Sequence, residues 1–178
     1  MIYVFLAKGF EECEALAPVD ILRRAGLKIK TVGVGSKVIT GAHNISVECD
    51  ILDSEAKTDN LEAVILPGGM PGTLNLEKSE IVQSFIDFAA NNNLCLGAIC
   101  AAPSILGHKG LLKGKKATCF TGFEKDLVGA NVVNERAVKD GNIVTAYGAG
   151  AAFDFGFLLL EALIDKSAAE TMKEQMRY

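Results

Sequence analysis

The chain has 178 residues, a length that suits one compact domain with a sizeable core. Its 18 basic and 22 acidic residues are mixed along the sequence and sum to −4, so it offers no basic stripe for nucleic acid and no polybasic patch for a membrane. The five cysteines form no C-x-x-C pair, and with only His43 and His108 beside them a metal site is short of ligands; reduced thiols and no metal are expected.

Met1 leads into the apolar run Ile2 to Ala7, which is too short to span a bilayer and lacks the flanks of a signal peptide, so a cytoplasmic location is expected. Further apolar runs follow at Lys28 to Val34, Ala63 to Gly69, Asn93 to Cys100 and Asn142 to Gly148. Runs that are apolar on successive residues predict strands covered on both faces, the habit of a parallel sheet in an α/β sandwich. Between them, Glu12 to Ala25 and Ile81 to Ala90 carry apolar residues at helical spacing and predict covering helices. Val38 to Leu52, with a turn at Gly41, predicts a small hairpin or edge ribbon. Phe153 to Ile164 is apolar almost all round and predicts a helix buried under the sheet or against a second subunit, and Ala168 to Arg177 a short amphipathic tail. No repeat, low-complexity segment or linker interrupts the chain, so residues 1–178 read as one domain.

Ligands of open α/β sheets gather at the carboxyl ends of strands. The richest such place is Leu94 to Pro103, LCLGAICAAP, where an apolar run ends on Cys100 and a helix-like segment begins directly after it. A thiol on such an elbow faces backbone amides and the positive end of a helix dipole, which favours a reactive thiolate; a buried strand cysteine is the plainer alternative. After the first strand come Glu11, Glu12 and Glu14. They either complement a helix N-terminus or supply one proton partner for Cys100, and spacing alone does not select which. Pro67-Gly68-Gly69-Met70 offers backbone amides close to a ligand, without the lysine of a phosphate loop. Gly148-Ala149-Gly150 begins like a dinucleotide fingerprint, but Phe153 stands at the third glycine and no returning βαβ unit follows.

The series AKGFEECE, PVDILRRAG, LPGG, AICAAP and KDGNIVTAYGAGAAFDF, in that order and at strand ends, resembles the ThiJ/PfpI superfamily. The likeness runs nearly end to end, in the branch of the human parkinsonism-associated deglycase and the bacterial protein YajL. It implies a flavodoxin-like three-layer sandwich related to class I glutamine amidotransferases, with a mostly parallel sheet and helices on both faces. It also implies a homodimer and no cofactor. The family's reactive, readily oxidised cysteine falls on Cys100, its buried hydrogen-bonding glutamate on Glu14, and the amides facing the sulfur on Gly69 and Ala101. Peptidase-like members carry histidine where this chain has Ala101. Phe120 stands near the place of a histidine found after the elbow helix, and Ala149 replaces a proline.

The function this implies is a cofactor-free thiol enzyme of glyoxalase or deglycase type, acting on small aldehydes such as methylglyoxal or on glycated adducts. A second expectation is a redox-responsive protective or chaperone protein in which oxidation of Cys100 is the signal. A hydrolase is weaker, because neither His43 nor His108 reads as a partner of Cys100.

Overall fold

The computed structural model describes residues 1–178. In chain order its elements are β1 (Ile2–Leu6), α1 (Glu12–Arg24), β2 (Ile29–Gly33), β3 (Val38–Thr40), β4 (Ser46–Glu48), β5 (Ile51–Leu52), β6 (Ala63–Leu66), α2 (Gly72–Lys78), α3 (Glu80–Asn91), β7 (Cys95–Ile99), α4 (Pro103–His108), β8 (Lys116–Ala117), β9 (Asn131–Val132), β10 (Ala137–Asp140), β11 (Ile143–Ala146), α5 (Ala152–Leu163) and α6 (Lys166–Met176). Seven strands form the central sheet in the order β10-β11-β7-β6-β1-β2-β5. All neighbours are parallel except β10, which returns antiparallel to β11 at one edge. This is the flavodoxin-like α/β architecture.

The strands are apolar on successive residues because both faces are covered. Along β1, Ile2, Val4 and Leu6 enter one core cluster with residues of α1 and α5, while Tyr3 and Phe5 enter a second cluster with residues of α3. The period of two that alternates side chains across a strand therefore divides one run between two cores. At the centre of β7, Gly97 lets α5 approach: a β-carbon there would lie 2.8 Å from Leu159 Cδ2 and 3.1 Å from Phe155 Cζ.

Those contacts settle the place of the most apolar helix. Phe155, Phe157, Leu159 and Leu160 are buried within the chain, so α5 is a core element under the sheet, and only its ends expose Phe153 and Ile164. Ribbon β3–β4 is the expected hairpin, but the two residues of β5 leave it and extend the main sheet beside β2. Edge strand β10 and the short helix α2 lie outside the predicted elements, and the amphipathic tail is helix α6, packed on α5. No helix is long and apolar enough to cross a membrane.

Candidate functional site

Cys100 follows β7 directly with φ of +66°, in the left-handed region. A non-glycine residue there carries strain on the order of 1–3 kcal/mol, and the surroundings must hold it. They do so from both sides: Cys100 N–H donates to the Ala146 carbonyl at 2.8 Å, and the Cys100 carbonyl accepts from Phe120 N–H at 2.8 Å. Ala101 and Ala102 complete a turn, closed by Ala102 N–H on the Ile99 carbonyl at 3.0 Å, before α4 begins at Pro103. The helix therefore starts three residues beyond the thiol and is only six residues long. The expected dipole is remote, and what faces the sulfur is local: the amide N–H groups of Gly69 and Ala101.

Glu14 approaches from the first turn of α1. Its carboxyl is buried, hydrogen-bonds the Cys100 thiol, and accepts from Gly68 N–H at 2.9 Å. Only glycine fits between them, since a β-carbon at Gly68 would lie 2.6 Å from both Cys100 Cβ and Glu14 Oε2. Gly69 takes φ of +88°, which turns its amide toward the sulfur, and a β-carbon there would meet the Gly9 carbonyl oxygen at 2.5 Å.

Three neighbouring acids thus have three separate tasks. Glu11 caps α1, its Oε2 accepting from Glu14 N–H at 2.7 Å. Glu12, buried, accepts from His43 N–H at 2.8 Å and bonds His43 Nδ1 at 2.8 Å, pinning the β3–β4 turn to the helix. Burial alone would push Glu12 up, but the hydrogen bonds from His43 and Ile45 outweigh it and hold the carboxyl below its usual range. Glu11, Glu12 and His43 are the side chains whose ligand atoms gather, within 4.8 Å of one another; those of Glu12 are already engaged by the hairpin.

Burial, offset in part by the bond to Cys100, pushes the Glu14 carboxyl up to about 7. Burial and then the charge of Glu14 push the Cys100 thiol up to about 12, against the pull of the Ala101 and Gly69 amides. This reverses the low thiol pKa that an elbow on a helix dipole predicts: as an acid on its own, the thiol is weakened by its surroundings. The two groups instead form one proton-sharing pair.

Of the other residues singled out, His108 bonds Glu77 Oε1 through Nδ1 at 2.6 Å, and its Nε2 lies 3.7 Å from Asp126. His43 is taken by Glu12. Phe120 is half-exposed against Gly148, and Ala149 opens a short 3-10 turn after β11. Arg136 passed unnoticed in the sequence. It bonds Asp154 at 2.9 Å, the Tyr147 hydroxyl at 3.0 Å and the Gly150 carbonyl, bracing the turn beside the site. Its partners are spread over eighteen positions, and no local pattern announces them.

Fold and site together define a flavodoxin-like α/β protein with an acid-paired thiol on a strained strand-to-turn elbow. Residues 1–162 match the DJ-1/PfpI family, and the chain belongs to it. It is 31% identical over 170 residues to Protein dj-1beta of Drosophila melanogaster, covering 94% of this chain and 91% of that protein. It is likewise 31% identical over 175 residues to the Parkinson disease protein 7 homolog of Danio rerio, covering 96% of this chain and 93% of that one. Among solved structures, oxidized Toxoplasma gondii DJ-1 superposes with a TM-score of 0.94 at 28% identity, covering 99% of this chain and 97% of that one.

Proposed function

We propose that the protein is a cofactor-free thiol enzyme acting on small reactive carbonyls, with methylglyoxal or the early adducts it forms with amines and thiols as substrate class. The observation that carries this reading is the Cys100–Glu14 pair, one shared proton beside two amides that face the sulfur. When the pair has lost one proton, the other sits on sulfur or on the carboxyl. The charge rests mainly on the carboxyl, and the Gly69 and Ala101 N–H groups stabilise the minor form with the charge on sulfur, which is the one that reacts.

In that form Sγ attacks the aldehyde carbon, a C–S bond forms, and the carbonyl electron pair moves onto oxygen, held by the two amides. Glu14 protonates this oxygen to give a hemithioacetal. Its carboxylate then takes the proton from the former aldehyde carbon and returns one to the neighbouring carbon, oxidising the first and reducing the second. The result is a thioester of a 2-hydroxy acid, which water cleaves to free acid and thiol. One water is consumed in all, and no external oxidant is required.

A second reading uses the same atoms. Two amides beside a reactive sulfur also suit the oxygens of a sulfinate, so Cys100 can serve as a redox signal in a protective protein without turnover. In either case we place the protein in the cytoplasm as a homodimer. A hydrolase finds little support, because both histidines are paired with carboxylates away from the thiol.

The deciding experiment is methylglyoxal turnover by the wild type and by Cys100→Ser, with buffer and trace-metal rates subtracted. Turnover that vanishes in Cys100→Ser is expected. Equal rates in both proteins would overturn the enzymatic reading, and absence of turnover in both would favour the redox one.

A further inference from the structure

The left-handed backbone of Cys100 is held by two bonds, and both lead back to a segment that Arg136 grips. Cys100 N–H donates to the carbonyl of Ala146, the last residue of β11, after which the chain enters the turn 147–151 ahead of α5. Arg136, the residue before β10, stands opposite this turn, its carbonyl accepting from Tyr147 N–H at 3.1 Å. Its guanidinium spreads over the turn: Nη1 donates to the Tyr147 hydroxyl at 3.0 Å, Nη2 to the Gly150 carbonyl and Nε to Asp154 Oδ2 at 2.9 Å. Asp154 is itself fixed, since its Oδ1 accepts from the Tyr178 hydroxyl at 2.7 Å. Between Tyr147 and Gly150, Gly148 packs against Phe120, with ring Cδ2 at 3.3 Å from where a β-carbon on that glycine would stand. Phe120 N–H is the donor to the Cys100 carbonyl, so the second bond on the elbow rests on the same turn.

From this we infer that Arg136 is a positioning residue for Cys100: by fixing the turn 147–151 it keeps the thiol in its strained, reactive orientation. A non-glycine residue with φ of +66° relaxes to an ordinary conformation unless its neighbours forbid it. Relaxation carries Sγ away from the Glu14 carboxyl and from the Gly69 and Ala101 amides, and the stabilised thiolate goes with it. The ion pair with Asp154 is exposed and by itself contributes little. What matters is the planar fork, which meets three acceptors at once in a fixed geometry that an ammonium on a flexible stem cannot copy. Arg136 bonds neither the sulfur nor Glu14, so it acts through the turn alone. The inference rests on Cys100 as the reactive group of the proposed function and adds what holds it ready.

The test is the pH profile of Cys100 alkylation by iodoacetamide, read on its own peptide by mass spectrometry, in the wild type, Arg136→Ala, Arg136→Lys and Lys139→Ala, with folding checked by circular dichroism. Lys139 is the comparison, because its Nζ ties the same strand β10 to α5 through Glu161 Oε1 at 2.6 Å and bonds nothing in the turn. A merely structural role lowers the urea midpoint of both alanine variants and leaves both profiles in place. Positioning displaces the Arg136→Ala profile alone, by about one pH unit upward, which is about a tenfold slower reaction at a given pH below the midpoint. Arg136→Lys keeps the charge without the fork and should recover no more than about half of that displacement. Alkylation needs no turnover, so a wild type inert toward methylglyoxal defeats the enzymatic reading while the profiles still decide the role of Arg136. Should Arg136→Ala fail to fold, Arg136→Lys decides by the same comparison. A folded Arg136 variant whose profile matches the wild type, or a Lys139→Ala profile displaced as far, overturns the inference.

Discussion

Replacing Glu14 by Leu removes the carboxyl that shares a proton with Cys100 while keeping a buried side chain of similar bulk. In the wild type the pair gives up its first proton near the point to which Glu14 is pushed, about 7, and only this singly ionised pair contains thiolate at neutral pH. Without the carboxyl, burial still opposes the thiolate and only the Gly69 and Ala101 amides offset it, so Cys100 should titrate above the ordinary thiol value of 9.0. Protonated Glu14 donates to the sulfur in its thiolate form, and a hydrogen bond to a charged group is worth about 1.5–3 kcal/mol, so its loss cuts the thiolate present at a given pH by roughly ten- to hundredfold. At least a tenfold slower alkylation at pH 6 is therefore expected. The assay is iodoacetamide labelling of the Cys100 peptide from pH 5 to 11, read by mass spectrometry so that the other four cysteines do not intrude. A Glu14→Leu curve superimposed on the wild type, with Glu11→Gln or Glu12→Gln moving it instead, would refute the pairing.

Mild peroxide should place its first two oxygens on Cys100, because Cys49, Cys95 and Cys119 are buried and Cys13, though exposed, lies among three carboxylates; first oxidation at Cys13 or Cys119 contradicts this. Glu14→Gln should flatten the pH dependence of stability. The folded carboxyl holds its proton up to about 7 against 4.5 when unfolded, so its contribution is complete below 4.5 and is lost as pH rises through 7, by about 3 kcal/mol. Urea unfolding at pH 4.5 and pH 8 should show that loss in the wild type and not in the variant. Aldehyde turnover should survive His43→Ala and His108→Ala within a few-fold; its loss in His108→Ala, with the fold intact, would restore a Cys–His mechanism. Light scattering at micromolar concentration should give twice the monomer mass of 18.9 kDa, and a purely monomeric mass would remove the homodimer.

How much of this was legible in the sequence depends on how far apart the cooperating residues lie. Continuous apolar runs such as Ile2 to Leu6 require cover on both faces, so the parallel sheet could be read locally, as could the elbow at Cys100 and the helices Glu12–Arg24 and Glu80–Asn91. The family resemblance reached Glu14, Gly69 and Ala101, which spacing alone could not single out. Tertiary packing decided the rest. It divided three neighbouring glutamates into a helix cap, a hairpin clamp and a thiol partner, because Glu12 and Glu14 each meet a different element brought in from elsewhere in the chain while Glu11 turns back on its own helix. It placed α5 in the core, where a sequence apolar all round cannot distinguish its own sheet from a second subunit. It also reversed the expected acidity of Cys100. That value follows from burial and from a carboxyl 86 positions away in sequence, and the field at an atom is the sum over neighbours in space.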